Sequence, residues 1–283
     1  MKKIVFLLVV FLFSVSTFAQ RHELGVFGGC SFYMGDLNPL RPFELIKPAY
    51  GLVYRYNLSP RFAFKLNAYT GTLLGDDAHT KFISQRNLSF KSSILDISPQ
   101  IELNFIPYVP GNPKYPWSPY IFGGISIFRF NPQAEYKGAW HDLQPLGTEG
   151  QGTSLSGVSN PYSLTSVAFP FGFGFKFNIG KKIVLGAEWG MRKTFTDYID
   201  DVSTVYADPS ILRGQNTVMS EVLADRSPEI GEPRNVTGSP RGNSKTNDWY
   251  SFAGIIITYK IQFKPLMCPA YNKSRNYKEY KLY

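Results

Sequence analysis

The sequence predicts an all-β protein: an eight-stranded antiparallel up-and-down transmembrane β-barrel with long extracellular loops. Three observations predict it. Apolar and polar residues alternate with a period of two in eight segments, the connectors alternate between short and long, and the N-terminus has the pattern of a secretory signal peptide. A period of two belongs to strands, whose successive side chains leave opposite faces. The clearest case spans residues 167–177. Val167, Phe169, Phe171, Phe173, Phe175 and Phe177 fall on one side, and Ala168, Pro170, Gly172, Gly174 and Lys176 on the other. The aromatic side calls for an apolar solvent, and the opposite side is too small and polar for an ordinary core. A barrel wall with lipid outside and a polar-packed lumen inside has both properties.

The N-terminal segment comes first. Lys2 and Lys3 precede an apolar run from Ile4 to Phe13, and Thr17, Phe18 and Ala19 form a small-residue cleavage site before Gln20. The run is shorter than the roughly 20 residues a spanning helix needs. No cysteine follows the cleavage site directly, which argues against a lipoprotein. The expected organisation is a signal peptide over residues 1–19, a barrel over 20–263 and a basic, Tyr-rich periplasmic tail over 264–283.

The eight alternating segments lie at 22–34, 49–58, 62–73, 93–107, 120–130, 163–179, 183–195 and 249–263. Each is near the length that crosses a bilayer at a tilt. In the second, Tyr50, Leu52, Tyr54 and Tyr56 oppose Gly51, Val53, Arg55 and Asn57. The fourth sets Leu95, Ile97, Ile101 and Leu103 against Asp96, Ser98, Gln100 and Glu102, with Pro99 predicting a bulge where a ladder donor is lost. The fifth is ambiguous, because Phe122, Ile125, Ile127 and Phe128 do not share one face. Connectors after the second, fourth and sixth segments are short or modest. Those after the first, third, fifth and seventh are longer, including residues 131–162 and 196–248. Short periplasmic turns with long extracellular loops are the outer-membrane arrangement, and an even strand count puts both termini in the periplasm.

Expected inward positions collect Glu23, Asp96, Glu102 and Glu188 against Arg55, Lys65, Arg129, Lys176, Arg192 and Lys260. Eight strands leave a lumen just wide enough for side chains to fill. Paired charges plugging the interior are therefore expected, rather than a diffusion pore or a catalytic carboxylate pair. The formal net charge of +9 suits lipopolysaccharide phosphates or acidic proteins, and nucleic acid is not expected as a partner of an exported chain. Cys30 and Cys268 are too few for a disulfide framework and are read as unpaired thiols.

Catalytic signatures are missing from the sequence. The histidines, His22, His79 and His141, lie in separate segments, and no H-E-x-x-H, G-x-S-x-G or P-loop pattern occurs. Asp76, Asp77 and His79, or Asp197, Asp200 and Asp201, have metal-ligand chemistry. Carboxylates in exposed loops are more often solvated or bonded to turn amides, so no metal or cofactor is expected.

Longer motifs carry a family resemblance. The run from Asn131 to Tyr136, then Trp140-His141-Asp142-Leu143-Gln144-Pro145-Leu146-Gly147-Thr148-Glu149-Gly150, resembles the PorG-like family. So do Glu188-Trp189-Gly190-Met191-Arg192-Lys193-Thr194-Phe195-Thr196-Asp197-Tyr198-Ile199-Asp200-Asp201, Gly35-Asp36-Leu37-Asn38-Pro39 and Arg86-Asn87-Leu88-Ser89-Phe90. The resemblance covers essentially the whole mature chain. It implies a non-enzymatic outer-membrane barrel of the type IX secretion (Por) and gliding machinery of Bacteroidetes, anchoring or accompanying the periplasmic ring of the PorK lipoprotein and PorN. It brings no catalytic residues, cofactor or metal.

The tail is the candidate contact. Lys264, Lys273, Arg275, Lys278 and Lys281 stand against Glu279 alone, interleaved with Tyr271, Tyr277, Tyr280 and Tyr283. A basic, aromatic-rich periplasmic segment suits an acidic partner surface. The candidate partner-binding residues are Lys264, Lys273, Arg275, Tyr277, Lys278 and Lys281. Two other classes remain: a small-solute channel or transporter, and a lipid-modifying barrel enzyme in which His141, on a long loop, would act as the base.

Overall fold

The computed structural model describes residues 22–154 and 160–261. The signal-peptide reading, Cys268 and the tail with its candidate contacts Lys264, Lys273, Arg275, Tyr277, Lys278 and Lys281 lie outside the described residues. The wall consists of β1 (His22–Met34), β2 (Lys47–Asn57), β3 (Phe62–Asp76), β4 (Ser89–Asn104), β5 (Trp117–Gly124), β6 (Ser126–Tyr136), β8 (Thr165–Ile179), β9 (Ile183–Thr194) and β10 (Trp249–Ile261). A short β7 (Ala139–Asp142) pairs with the far end of β6, beyond the wall. Neighbours in sequence pair antiparallel all the way round, and β1 closes the ring on β10 from His22↔Ile261 to Met34↔Trp249. With β5 and β6 counted as one interrupted strand, the fold is a closed eight-stranded antiparallel barrel.

That interruption departs from the bulge expected at Pro99. Register runs unchanged across Pro99, from Phe62↔Leu103 to Asp76↔Ser89 on one side and from Gln100↔Gly124 to Ile97↔Ile127 on the other. The missing donor shows in the partner strand instead. The Ile125 N–H reaches the Pro99 carbonyl at 3.2 Å, but Pro99 has no N–H to return. Pro170 of β8 sits opposite Gly124 in the continuing register and removes a donor on the other flank. Two prolines on two neighbours therefore break the fifth strand at 124–125 without shifting it. Phe122 and Phe128 point inward there, and Ile125 and Ile127 outward.

The same parity corrects one charge. Arg129 lies on the outward, exposed face between inward Phe128 and Phe130, so it does not join the lumen charges. The other nine expected inward ionisable groups are all buried. The lumen is also not polar throughout. Toward the loop side it is filled by Phe27, Tyr69, Phe128, Phe130, Tyr250 and Phe252, which run into a core of loop residues including Leu37, Ile199, Val202 and Leu223.

Outside, apolar side chains circle the wall. Leu52 is 61% exposed, Ile97 50%, Phe173 55% and Ile257 48%, with Leu24, Phe62, Ile121 and Ile183 continuing the band on the remaining strands. Exposed apolar patches on soluble monomers rarely exceed a few hundred Å². Short connectors at 58–61, 105–116 and 180–182 share one end of the barrel with the two described chain ends. Loops 35–46, 77–88, 137–164 and 195–248 share the other.

Candidate functional site

Two buried polar networks occupy the interior, one in the lumen and one in the loop cap. The lumen network centres on Glu102 of β4. Its carboxylate accepts from the Arg55 Nε at 2.9 Å and from the Lys176 Nζ at 2.6 Å, with the Lys65 Nζ 3.4 Å away. Lys65 also pairs with Glu188, which accepts from the Tyr120 hydroxyl at 2.9 Å. Glu23 accepts from the Arg55 Nη1 at 2.9 Å, the Asn57 Nδ2 at 2.7 Å and the Thr258 Oγ1 at 2.5 Å. These residues come from eight wall strands, and each reaches the axis because its strand parity points it inward. Nearer the loops, Asp96 accepts from Tyr250 and Ser126 at 2.6 Å each, with the Arg192 Nε at 3.8 Å. At the turn end the Lys260 ammonium donates to the Pro110 carbonyl at 2.8 Å, closing the lumen over the 105–116 connector. Cations matched to carboxylates, with aromatic rings above them, leave a packed plug rather than a conduit.

The loop cap is held by two arginines. Arg86 forks onto Asp77 with bonds of 2.8 and 2.7 Å and donates to the carbonyls of Asp36 at 3.0 Å and Arg241 at 2.6 Å. Arg241 donates to Glu149 at 3.0 Å, to the Ala224 carbonyl at 3.0 Å and to the Asp201 carbonyl. Glu149 in turn accepts the Ser203 and Thr204 N–H groups at 2.9 and 3.0 Å. All four long loops are thereby tied through buried, charge-assisted bonds. Local caps begin the short helices between these ties: Asp76 accepts the Ala78 N–H ahead of Asp77–Thr80, and Thr217 accepts the Ser220 N–H at the start of Val218–Ala224.

The loop aspartates differ from the solvated groups expected from sequence. Asp77, Asp197, Asp200 and Asp201 are all buried. Asp200 and Asp248 converge on the Tyr33 hydroxyl, at 2.5 and 2.8 Å. Burial, then the charge of Asp248, pushes the Asp200 carboxyl well above the usual range. Burial, then the charge of Asp197, does the same to Asp248. Burial also pushes Asp197 up to about 7, and Asp201 up to about 6 against the pull of Arg241.

Among the described residues no group of three or more His, Cys, Asp or Glu is arranged to hold a metal ion. The histidines stay apart. His22 contacts the Tyr54 hydroxyl at 2.8 Å, His79 contacts Glu44 at 2.8 Å, and His141 lies on β7. Cys30 is a free thiol on β1. Sequence reasoning found the lumen charges from strand parity but missed Glu149 and Arg241. They pair with each other across two loops, 92 residues apart, and no local periodicity marks them.

Residues 2–142 match the family model described as a domain of unknown function, DUF6089. That description assigns no function, and it does not bear on the PorG-like resemblance. No curated protein sequence matches the chain. Among solved structures the chain is similar to Ail, the attachment invasion locus protein of Yersinia pestis, at 7% identity and a TM-score of 0.42, covering 86% of this chain and 100% of that one. It is also similar to the Neisserial surface protein NspA, at 9% identity and a TM-score of 0.42, covering 86% and 97%. A third is the outer membrane protein OprG of Pseudomonas aeruginosa, at 11% identity and a TM-score of 0.41, covering 86% and 98%.

Proposed function

We propose that this protein is a non-enzymatic outer-membrane barrel of the type IX secretion machinery, anchoring or accompanying the periplasmic ring of the PorK lipoprotein and PorN. The observation that carries the membrane part is the apolar band on the outward face of every wall strand, which a bilayer solvates and water does not. The plugged lumen favours an anchor over a channel. The PorG-like motifs supply the machinery. The two described chain ends lie on the side of the short turns, the face proposed to meet the ring, and the proposed contacts are Lys264, Lys273, Arg275, Tyr277, Lys278 and Lys281 of the basic tail.

The test is co-purification of the ring proteins with the full-length barrel and with a form lacking residues 264–283, both checked for membrane insertion. Ring proteins retained by the full chain and lost from the shortened one support the reading. A full-length barrel that inserts normally, brings down no ring protein and leaves type IX cargo secretion intact when its gene is deleted overturns it.

A further inference from the structure

On the outer wall, at the loop-side rim, the chain departs from a bare barrel surface. Phe32 is fully buried although its parity points it outward, because loop 35–46 folds down over the wall and packs Phe43 against it, ring centres 4.6 Å apart. Phe43 also packs on outward-facing Trp189 at 5.3 Å. Beside this contact the loops roof a cavity of about 540 Å³, within the range of small-ligand sites. Its floor is the outward face of three adjacent strands, through Met34, Met191 and Trp249. Its side walls include Pro39, Phe82 and Ile83, and the polar part of its lining comes from Asp36, Arg86, Arg241, Asn243, Thr246 and Asn247. Trp249 lies edge-on to Phe171 of the exposed aromatic stripe at 6.0 Å, so the cavity floor continues the apolar band. A second, smaller cavity of about 120 Å³ shares Pro39 and Phe82 with the first and is lined by Arg41 and Lys81. Arg41 has a carboxylate partner only at 4.0 Å, in Glu44, and Lys81 makes no ion pair among the described residues. A slot with an apolar floor joined to the lipid-facing surface, and two exposed cations across one shared wall, suit an acyl chain attached to a phosphate.

The geometry points to a lateral lipid site that holds one phosphorylated lipid of the outer leaflet. An acyl chain lies over Met34, Met191 and Trp249, and the phosphate sits at Arg41 and Lys81, where charge-assisted bonds favour it. The leaflet is the source because the slot opens onto the band proposed to lie in it. This inference rests on the membrane reading but not on the secretion reading. It gives loop 35–46 a task distinct from capping the lumen: covering a lipid against the wall.

The test uses the full-length protein extracted in mild detergent, with native mass spectrometry to count retained lipid. The variants are Phe82→Asp and the double change Arg41→Glu, Lys81→Glu. Their side chains are exposed, and heat-modifiable gel migration reports whether each barrel is folded. The expected result is one phosphorylated lipid per wild-type chain and retention at least about tenfold lower in both variants, from loss of charge-assisted contacts in the double change and from a carboxylate set against the acyl chain in Phe82→Asp. Lipid-free refolded protein titrated with lipid A or with phosphatidylglycerol vesicles then distinguishes a saccharolipid from a glycerophospholipid. Folded, membrane-inserted wild type that retains no lipid, or variants that retain as much, overturns the site while leaving the membrane reading intact. Protein that never enters the membrane fraction overturns both.

Discussion

The Tyr33 hydroxyl stands 2.5 Å from Asp200 and 2.8 Å from Asp248, one proton donor between two buried carboxyl groups. The other oxygens of both acids accept backbone N–H groups, Val202 for Asp200 and Ile199 for Asp248, each at 2.9 Å. A hydroxyl has a single proton to give, so both contacts are hydrogen bonds only when one carboxyl is itself protonated and donates to the Tyr33 oxygen. The pair thus holds a proton at pH values where free aspartate has lost its own.

The sign of the pH dependence follows. These acids have folded-state pKa values raised above the unfolded value. Their stabilising protonation is complete below that unfolded value, around pH 4, and is lost as pH rises through about 6 for Asp201 and about 7 for Asp197. The shift at Asp201 corresponds to roughly 3 kcal/mol. Loop-cap resistance to limited proteolysis in micelles should be higher at pH 5 than at pH 8, with the wall strands unaffected. Asp200→Asn should flatten that slope; a cap equally resistant at both pH values contradicts the assignment.

Removing Glu102 takes a carboxylate from three cations and strands Lys176, while Arg55 keeps Glu23 and Lys65 keeps Glu188. Arg55, Lys65 and Lys176 all converge on its carboxylate. Breaking a buried ion pair by deleting one partner costs about 3–5 kcal/mol. Glu102→Gln should lower stability to urea by that order, read from the folded fraction on unheated gels, with the barrel remaining in the membrane.

The outward stripe gives a depth-dependent expectation. Phe173 sits mid-strand on β8, between Ile121 and Trp189 in register. Phe173→Arg should cost about 2–4 kcal/mol of folding into lipid bilayers, and Thr165→Arg at the loop-side end about 0–1. Equal costs at the two positions would place the wall differently in the membrane.

A filled lumen predicts electrical silence. Wild-type protein reconstituted in planar bilayers should show no open-channel steps, because the charge cluster around Glu102 and the rings of Tyr69, Phe128 and Phe252 occupy the axis. Reproducible steps would restore the channel reading.

The parts of this architecture written locally were legible in the sequence. Each wall strand shows its period of two within its own residues, and Phe169 to Phe177 alone declares a lipid-like face. Structure that depends on a neighbour was not legible. The break at Gly124 and Ile125 is caused by Pro99 and Pro170 on flanking strands, so the fifth strand's own residues could not reveal it. The outward position of Arg129 is hidden for the same reason, since without a clear face in its own segment its parity has no anchor. Asp200 and Asp201 read as ordinary loop acids because the groups that bury them, Tyr33, Arg241 and Asp248, stand far away in the sequence. The rim cavity has the same origin, needing loop 35–46 to fold back onto the outside of β1.

Closure of β1 on β10 has a consequence for how the protein comes to exist. The seam that pairs His22 with Ile261 joins the first and last wall strands to be synthesised. A wall without its last strand would be an open curved sheet with two unpaired edges, the surface on which strands add to the wrong partner. Completion of the wall therefore waits for the last strand, and the slowest contact to find is the one that removes both edges at once. Until that seam zips shut, both edges stay open to pairing elsewhere.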